Sequence, residues 1–186
     1  MLEHIPYSTN KVKTLQKANK TFFQGQNQPI VTFISKDALK SSNYAVCQTF
    51  SLVSSDPKIP IELLDAWSQE GNAGEKAWYV TRYVLFKLVS DRLAEAKLIY
   101  THYASNEASI FAETNSHLEV FLRLLFRCIE NKHKAAFETL SAKYLQFLGR
   151  DAELNLLVER VGTIFFGIVK PKQPNMFEMM GRMMGM

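Results

Sequence analysis

Cysteine, glycine and proline are all scarce: two, eight and six among 186 residues. The two cysteines, Cys47 and Cys128, each sit inside an apolar-periodic segment. Lone thiols in such settings exclude a disulfide framework and fit buried packing in a reducing compartment. Residues 1–10, MLEHIPYSTN, lack both the basic and the apolar region of a signal peptide. Long apolar runs are missing too. The most apolar stretch, HLEVFLRLLFRCIE, is broken by Arg123 and Arg127, and a spanning helix needs about 20 apolar residues. A cytoplasmic protein without stable membrane insertion is expected. Concentrated charge is also lacking. The net charge is +4 and the pI about 9.0, with Lys and Arg spread along the chain. A groove-reading protein clusters its cations, so no nucleic-acid partner is expected.

Chemistry is missing as well. No phosphate loop, dinucleotide fingerprint, nucleophile elbow, HExxH or CxxC spacing occurs. The histidines His4, His102, His117 and His133 are scattered. His117 and Cys128, on one helix, lie about 16 Å apart along its axis, too far for a base and its nucleophile. Glu62 and Asp65 pair carboxylates on one helix face, but without a nearby histidine or glycine loop they read as solvated surface. No enzyme, metal site or cofactor is expected.

What the chain does have is helical periodicity. Residues 9–23 give a helix with Val12, Leu15, Ala18 and Phe22 on one face. A helix over 30–40 turns at KSSNY and reverses through AVCQTFSLVSS. Asp56-Pro57 ends that segment, and Pro60 fits the first turn of the next helix, where a missing N–H costs nothing. Gly71 and Gly74 separate this helix from EKAWYVTRYVLFKLVS. A helix–break–helix unit then recurs in ISKDALKSSNYAVCQTFSL, LFKLVSDRLAEAKLIYTHY and LLFRCIENKHKAAFETLSAKY. Alanines follow each turn (Ala45; Ala94 and Ala96; Ala135 and Ala136), where antiparallel helices would pass closely. Phe50, Tyr100 and Phe137 follow and would wedge between neighbouring pairs. The spacing of about 40 to 50 residues is longer and less regular than in tetratricopeptide repeats. The expected fold is all-α: an α-solenoid of divergent TPR-like antiparallel helix pairs over 1–173, followed by a Met-rich amphipathic tail helix over 174–186. LEVFLRLLFRCI is apolar on nearly every side and is expected to be the central helix. The connection over 104–116, with Ile110 and Phe111 among polar residues, reads as a packed loop, a binding element or one short β-hairpin.

The tail sets its own problem. Residues 151–169 read as a strongly apolar helix stopped by PKQP. Asn175 and Glu178 then supply a cap and its partner. Asn175, Glu178 and Arg182 form one polar stripe on NMFEMMGRMMGM, and Met or Phe covers the rest. Burying six such side chains returns roughly 9–18 kcal/mol. Ordering twelve backbone residues costs about 12–24 kcal/mol. The tail is therefore expected to be helical only when docked on the solenoid or on a partner. A chaperone-like alternative is that it grips hydrophobic client segments, since methionine adapts to varied surfaces.

ERVGTIFFGIVKPKQPNMFEMMGRMMGM resembles the carboxyl end of the GET-pathway adaptor, the fourth GET subunit of the GET/TRC route for tail-anchored proteins. The matching residues are Phe165-Phe166-Gly167, Pro171-Lys172-Gln173 and an apolar tail in which Met replaces most Leu. The likeness extends through NYAVCQTF and EKAWYVTRYVLFKLV, and more weakly to KVKTLQKANK. It covers nearly the whole chain but only the carboxyl-terminal part of the family, whose first several helices are expected to be missing here. The resemblance implies an α-solenoid without enzymatic activity. It implies a scaffold that holds the amino-terminal segment of a ubiquitin-like-domain subunit. The targeting ATPase, a partner of the family's amino-terminal half, is expected only where those missing helices are present. By position, Ile110 and Phe111 correspond to an apolar loop that meets the partner, with Phe121, Leu125, Phe165 and Phe166 close by. Met176, Phe177 and Met180 of the tail complete the expected partner-binding set.

Overall fold

A computed structural model describes residues 28–70, 75–104, 111, 116–148 and 151–169. Within these residues the chain forms eight α-helices and no strand. They are α1 (Gln28–Lys40), α2 (Tyr44–Ser51), α3 (Lys58–Glu70), α4 (Lys76–Val89), α5 (Leu93–Ala104), α6 (Ser116–Glu130), α7 (Lys134–Leu148) and α8 (Ala152–Phe166). The expected helix over 9–23 and the tail over 174–186 lie outside the described residues. So does the suggested hairpin over 104–116, apart from Ala104, Phe111 and the first residue of α6.

The α1–α2, α4–α5 and α6–α7 hairpins share one joint. In each, a non-glycine residue takes left-handed backbone: Ser42 (φ 54°), Asp91 (φ 60°) and Lys132 (φ 50°). In each, two amides cap the ending helix: Asn43 to the Ala38 carbonyl and Ser42 to Leu39; Arg92 to Lys87 and Asp91 to Leu88; His133 to Cys128 and Lys132 to Ile129. This is the Schellman pattern, which satisfies carbonyls that a helix end leaves without partners. The next helix starts at once, because the carbonyls of Asn43, Arg92 and His133 accept its first bonds from Cys47, Ala96 and Phe137. Asn43 and His133 also accept the amides of Val46 and Ala136 with their side chains.

In this register Ala45, Ala94 and Ala135 are equivalent, three residues past the left-handed position. They are not the points of close approach, since Ala94 and Ala135 are exposed. The buried register lies two residues on, at Cys47, Ala96 and Phe137. The recurring alanine reflects helix propensity just after the turn rather than tight packing.

The central helix is α4, not α6. Ten of the fourteen residues of α4 are buried, and it packs against α3, α5, α6 and α8. Helix α6 is amphipathic instead: Leu118, Phe121, Leu122, Leu125 and Phe126 face inward, while Arg123, Leu124, Arg127 and Glu130 are exposed. The two arginines that break its apolar run mark a solvent face. Helix α8 gives α4 its extra neighbour by folding back over it. Asp151 caps α8 by accepting the amides of Glu153 and Leu154. Arg82 of α4 donates to that same carboxylate and pairs with Glu153 at 3.4 Å, fixing where α8 begins.

Helix α8 also ends earlier than its apolar run. It stops at Phe166 because Gly167 adopts left-handed backbone (φ 64°), and the Gly162 carbonyl accepts the amides of Gly167 and Ile168. The prolines of PKQP lie beyond that stop.

Polar groups hold the end of α2 and helix α3 to α4 and α5. The Lys87 ammonium is fully buried and donates to the carbonyls of Ser51 (2.9 Å), Leu52 (3.1 Å) and Ser54 (3.3 Å), at the end of α2, and to Glu95 (2.6 Å). A cation at a helix C-terminus is favoured by the exposed carbonyls and the helix dipole. Burial pushes Lys87 down to about 8, against the opposing pull of Glu95. Arg92 adds donors to Ser54 and Glu95. Asp65, read from the sequence as solvated surface, accepts from Tyr103 at 3.0 Å and pairs with Lys76 at 3.0 Å. It thereby ties α3, α4 and α5 together at the foot of the 104–116 connection.

Candidate functional site

The polar chemistry of the molecule is structural. No group of three or more His, Cys, Asp or Glu is placed to hold a metal among the described residues. Burial, with Glu62 nearby, pushes the Cys47 thiol up to about 11, and burial also raises Cys128. A nucleophilic thiol needs the opposite shift. Among the described residues no helix is long and apolar enough to cross a membrane.

The expected contact residues divide into two groups. Phe111, Phe121 and Leu125 are buried in the core, where Phe121 lies against Tyr144 with ring centroids 5.2 Å apart. In this arrangement they have almost no exposed face to offer. Phe165 and Phe166 are half-buried and pack against the core. Phe166 stacks on Phe137 at 4.6 Å. Ile110, Met176, Phe177 and Met180 lie outside the described residues.

Beside that stack runs a groove the sequence did not single out. It lies between α7 and α8, has a volume of about 300 Å³ and is walled by Phe137, Ala142, Leu145, Val158, Gly162 and Ile168. Gly162 makes it possible. A Cβ there would meet the Phe137 ring at 2.8 Å, so glycine lets that ring lie against α8. Glu138 and Glu159 also line the groove, and no Lys or Arg does. The Ser141 hydroxyl in its wall is buried and has no hydrogen-bond partner among the described residues. Leu145, 52% exposed, stands open on the α7 side. Sequence periodicity could have found half of this: Phe137, Ser141 and Leu145 recur every four residues on α7, beside the stripe Leu140, Tyr144 and Leu148. A second apolar face remains at the far end of the array, where α1 exposes Ile30 (58%) and Phe33 (70%).

The family model described as Golgi to ER traffic protein 4 matches residues 10–184. The chain belongs to this family. Among curated relatives, the Golgi to ER traffic protein 4 homolog A of Xenopus laevis is 26% identical over 182 residues, covering 92% of this chain and 55% of that protein. The homolog of Oryzias latipes is 24% identical over 151 residues, covering 78% of this chain and 46% of the relative. The chain thus spans about half the length of the curated relatives it matches. A crystal structure titled C. therm. Get4 superposes with a TM-score of 0.72 at 18% identity, over 94% of this chain and 62% of that one. That likeness confirms the all-helical fold. The α7–α8 groove adjoins the half-buried Phe166, whose ring stacks on the groove-lining Phe137.

Proposed function

We propose that this chain is a non-enzymatic adaptor in the targeting of tail-anchored membrane proteins to the endoplasmic reticulum, acting in the cytoplasm. Its role is to hold the amino-terminal segment of a ubiquitin-like-domain subunit. The observation that carries this reading is the open apolar surface around α7 and α8, on a fold in which Lys87, Asp65 and Tyr103 are engaged in structural bonds. A segment of another protein adds the apolar area that this surface lacks, and half-buried aromatics are suited to anchoring it. The proposed contacts are Ile110, Phe165, Phe166, Met176, Phe177 and Met180, with Phe111, Phe121 and Leu125 supporting them from the core. The targeting ATPase is a partner only where the amino-terminal helices of the family are present.

Co-expression with the amino-terminal segment of the ubiquitin-like subunit is expected to give one complex through size exclusion. Phe165→Ser in this chain is expected to weaken that complex at least tenfold. Two separately eluting monomers with the wild-type chain would overturn the reading.

A further inference from the structure

We propose that the α7–α8 groove is the docking site of the chain's own carboxyl-terminal segment, residues 174–186. The proposal concerns the chain without its partner, which on the reading above meets the same surface and binds over the docked segment.

Geometry puts the segment within reach. Ile168 lines the groove, and Val169, the last described residue, is 80% exposed next to it in sequence, so the described chain ends at the groove's edge. Five residues lie between Val169 and Asn175, and the six Cα steps span at most about 20 Å. The groove-lining part of α7, Phe137 to Leu148, is about 16 Å long. Pro171 and Pro174 prevent the path from continuing as α8 and leave it free to turn back.

The chemistry also fits. The groove has room for a few flexible side chains rather than for a whole helix, and methionine is the residue that fills such irregular apolar space. Residues 170–186 carry Lys170, Lys172 and Arg182 against Glu178 alone, and the groove's charged residues are Glu138 and Glu159. Tethering raises the local concentration of the segment to the millimolar range. A second copy or a free peptide at micromolar concentration competes poorly with that. The polar stripe Asn175, Glu178 and Arg182 leaves more apolar surface on the segment than the groove can cover, so the docked segment keeps an outward apolar edge.

The test is a photo-crosslinking amino acid in place of Met180 in the full chain, at low micromolar concentration, with crosslinked peptides mapped by mass spectrometry. Intrachain crosslinks to 138–145 of α7 and 158–163 of α8 are expected. Leu145→Glu should reduce them at least fivefold. That position is more than half exposed, so the fold is retained, and circular dichroism checks it. Leu156→Glu, 45% exposed and outside the groove, should leave them unchanged. Crosslinks only between chains, crosslinks to other helices, no crosslinks, or a yield indifferent to Leu145→Glu would each overturn the proposal.

Discussion

Helices α4 and α7 differ by one residue in length and resemble each other in apolar content, yet they end in opposite surroundings. Helix α4 buries ten of fourteen residues; α7 buries Phe137, Leu140 and Leu148 out of fifteen. The difference comes from what lies across them. Helix α4 has α8 laid back over it, fastened by Arg82 to Asp151 and Glu153. Helix α7 has α8 beside it but nothing described across the gap. The interior of the array is thus closed by the chain's own connectivity, and its last hairpin is left with apolar side chains in the open. The first helix is core, and the second carries the open surface on which the proposed recognition rests.

Substitutions can separate those two roles. The largest effect is expected for Leu85→Ala in α4, a fully buried site, at about 2–5 kcal/mol in urea unfolding. A cost like that of a surface site would mean α4 is not the centre of the fold. Next comes Lys87→Met, which keeps the bulk but leaves the carbonyls at the end of α2 without their donor. A loss of about 3 kcal/mol is expected.

The third effect is smaller and depends on pH. Burial, helped by the Asp65 carboxylate, raises the Tyr103 hydroxyl above its usual value of 10.0. Above pH 10 the unfolded chain releases this proton while the folded chain retains it. The stability held by Tyr103 is therefore complete below pH 10 and is lost as pH rises beyond it. Tyr103→Phe should cost about 1 kcal/mol at pH 7 and should flatten the fall in stability above pH 10. An identical alkaline slope in both proteins would contradict this role. The smallest effect is expected for Leu145→Ala in α7, within about 0.5 kcal/mol. A loss above 2 kcal/mol would show that α7 belongs to the core after all.

Much of this was legible in the sequence, for reasons that can be named. Helix boundaries followed apolar periodicity and the breaks at KSSNY, Asp56-Pro57 and SDR, because those signals are local. The repeat showed in the equivalent Ala45, Ala94 and Ala135, although their packing role did not. The end of α8 was misplaced because Gly167 sits inside an apolar run, where its left-handed backbone has no compositional mark. The choice of α6 over α4 as the central helix failed for a different reason. Burial depends on what returns across a helix, and the return of α8 rests on an ion pair whose partners are 69 residues apart. The groove was hidden likewise: it needs α7, α8 and the missing Cβ of Gly162 at once. Of the expected contacts, Phe166 stacks on the groove-lining Phe137, whereas Phe111, Phe121 and Leu125, carried over by position from the family resemblance, are buried, and burial of a single position is not legible from such a likeness.

The three joints leave one further mark on the molecule. Ser42, Asp91 and Lys132 each hold backbone that glycine or asparagine would adopt more comfortably. The array therefore carries an unused reserve, on the order of 1 kcal/mol per joint. Glycine or asparagine at these exposed positions, none of which lines the groove, would release it and give a tougher scaffold for redesign of the α7–α8 surface.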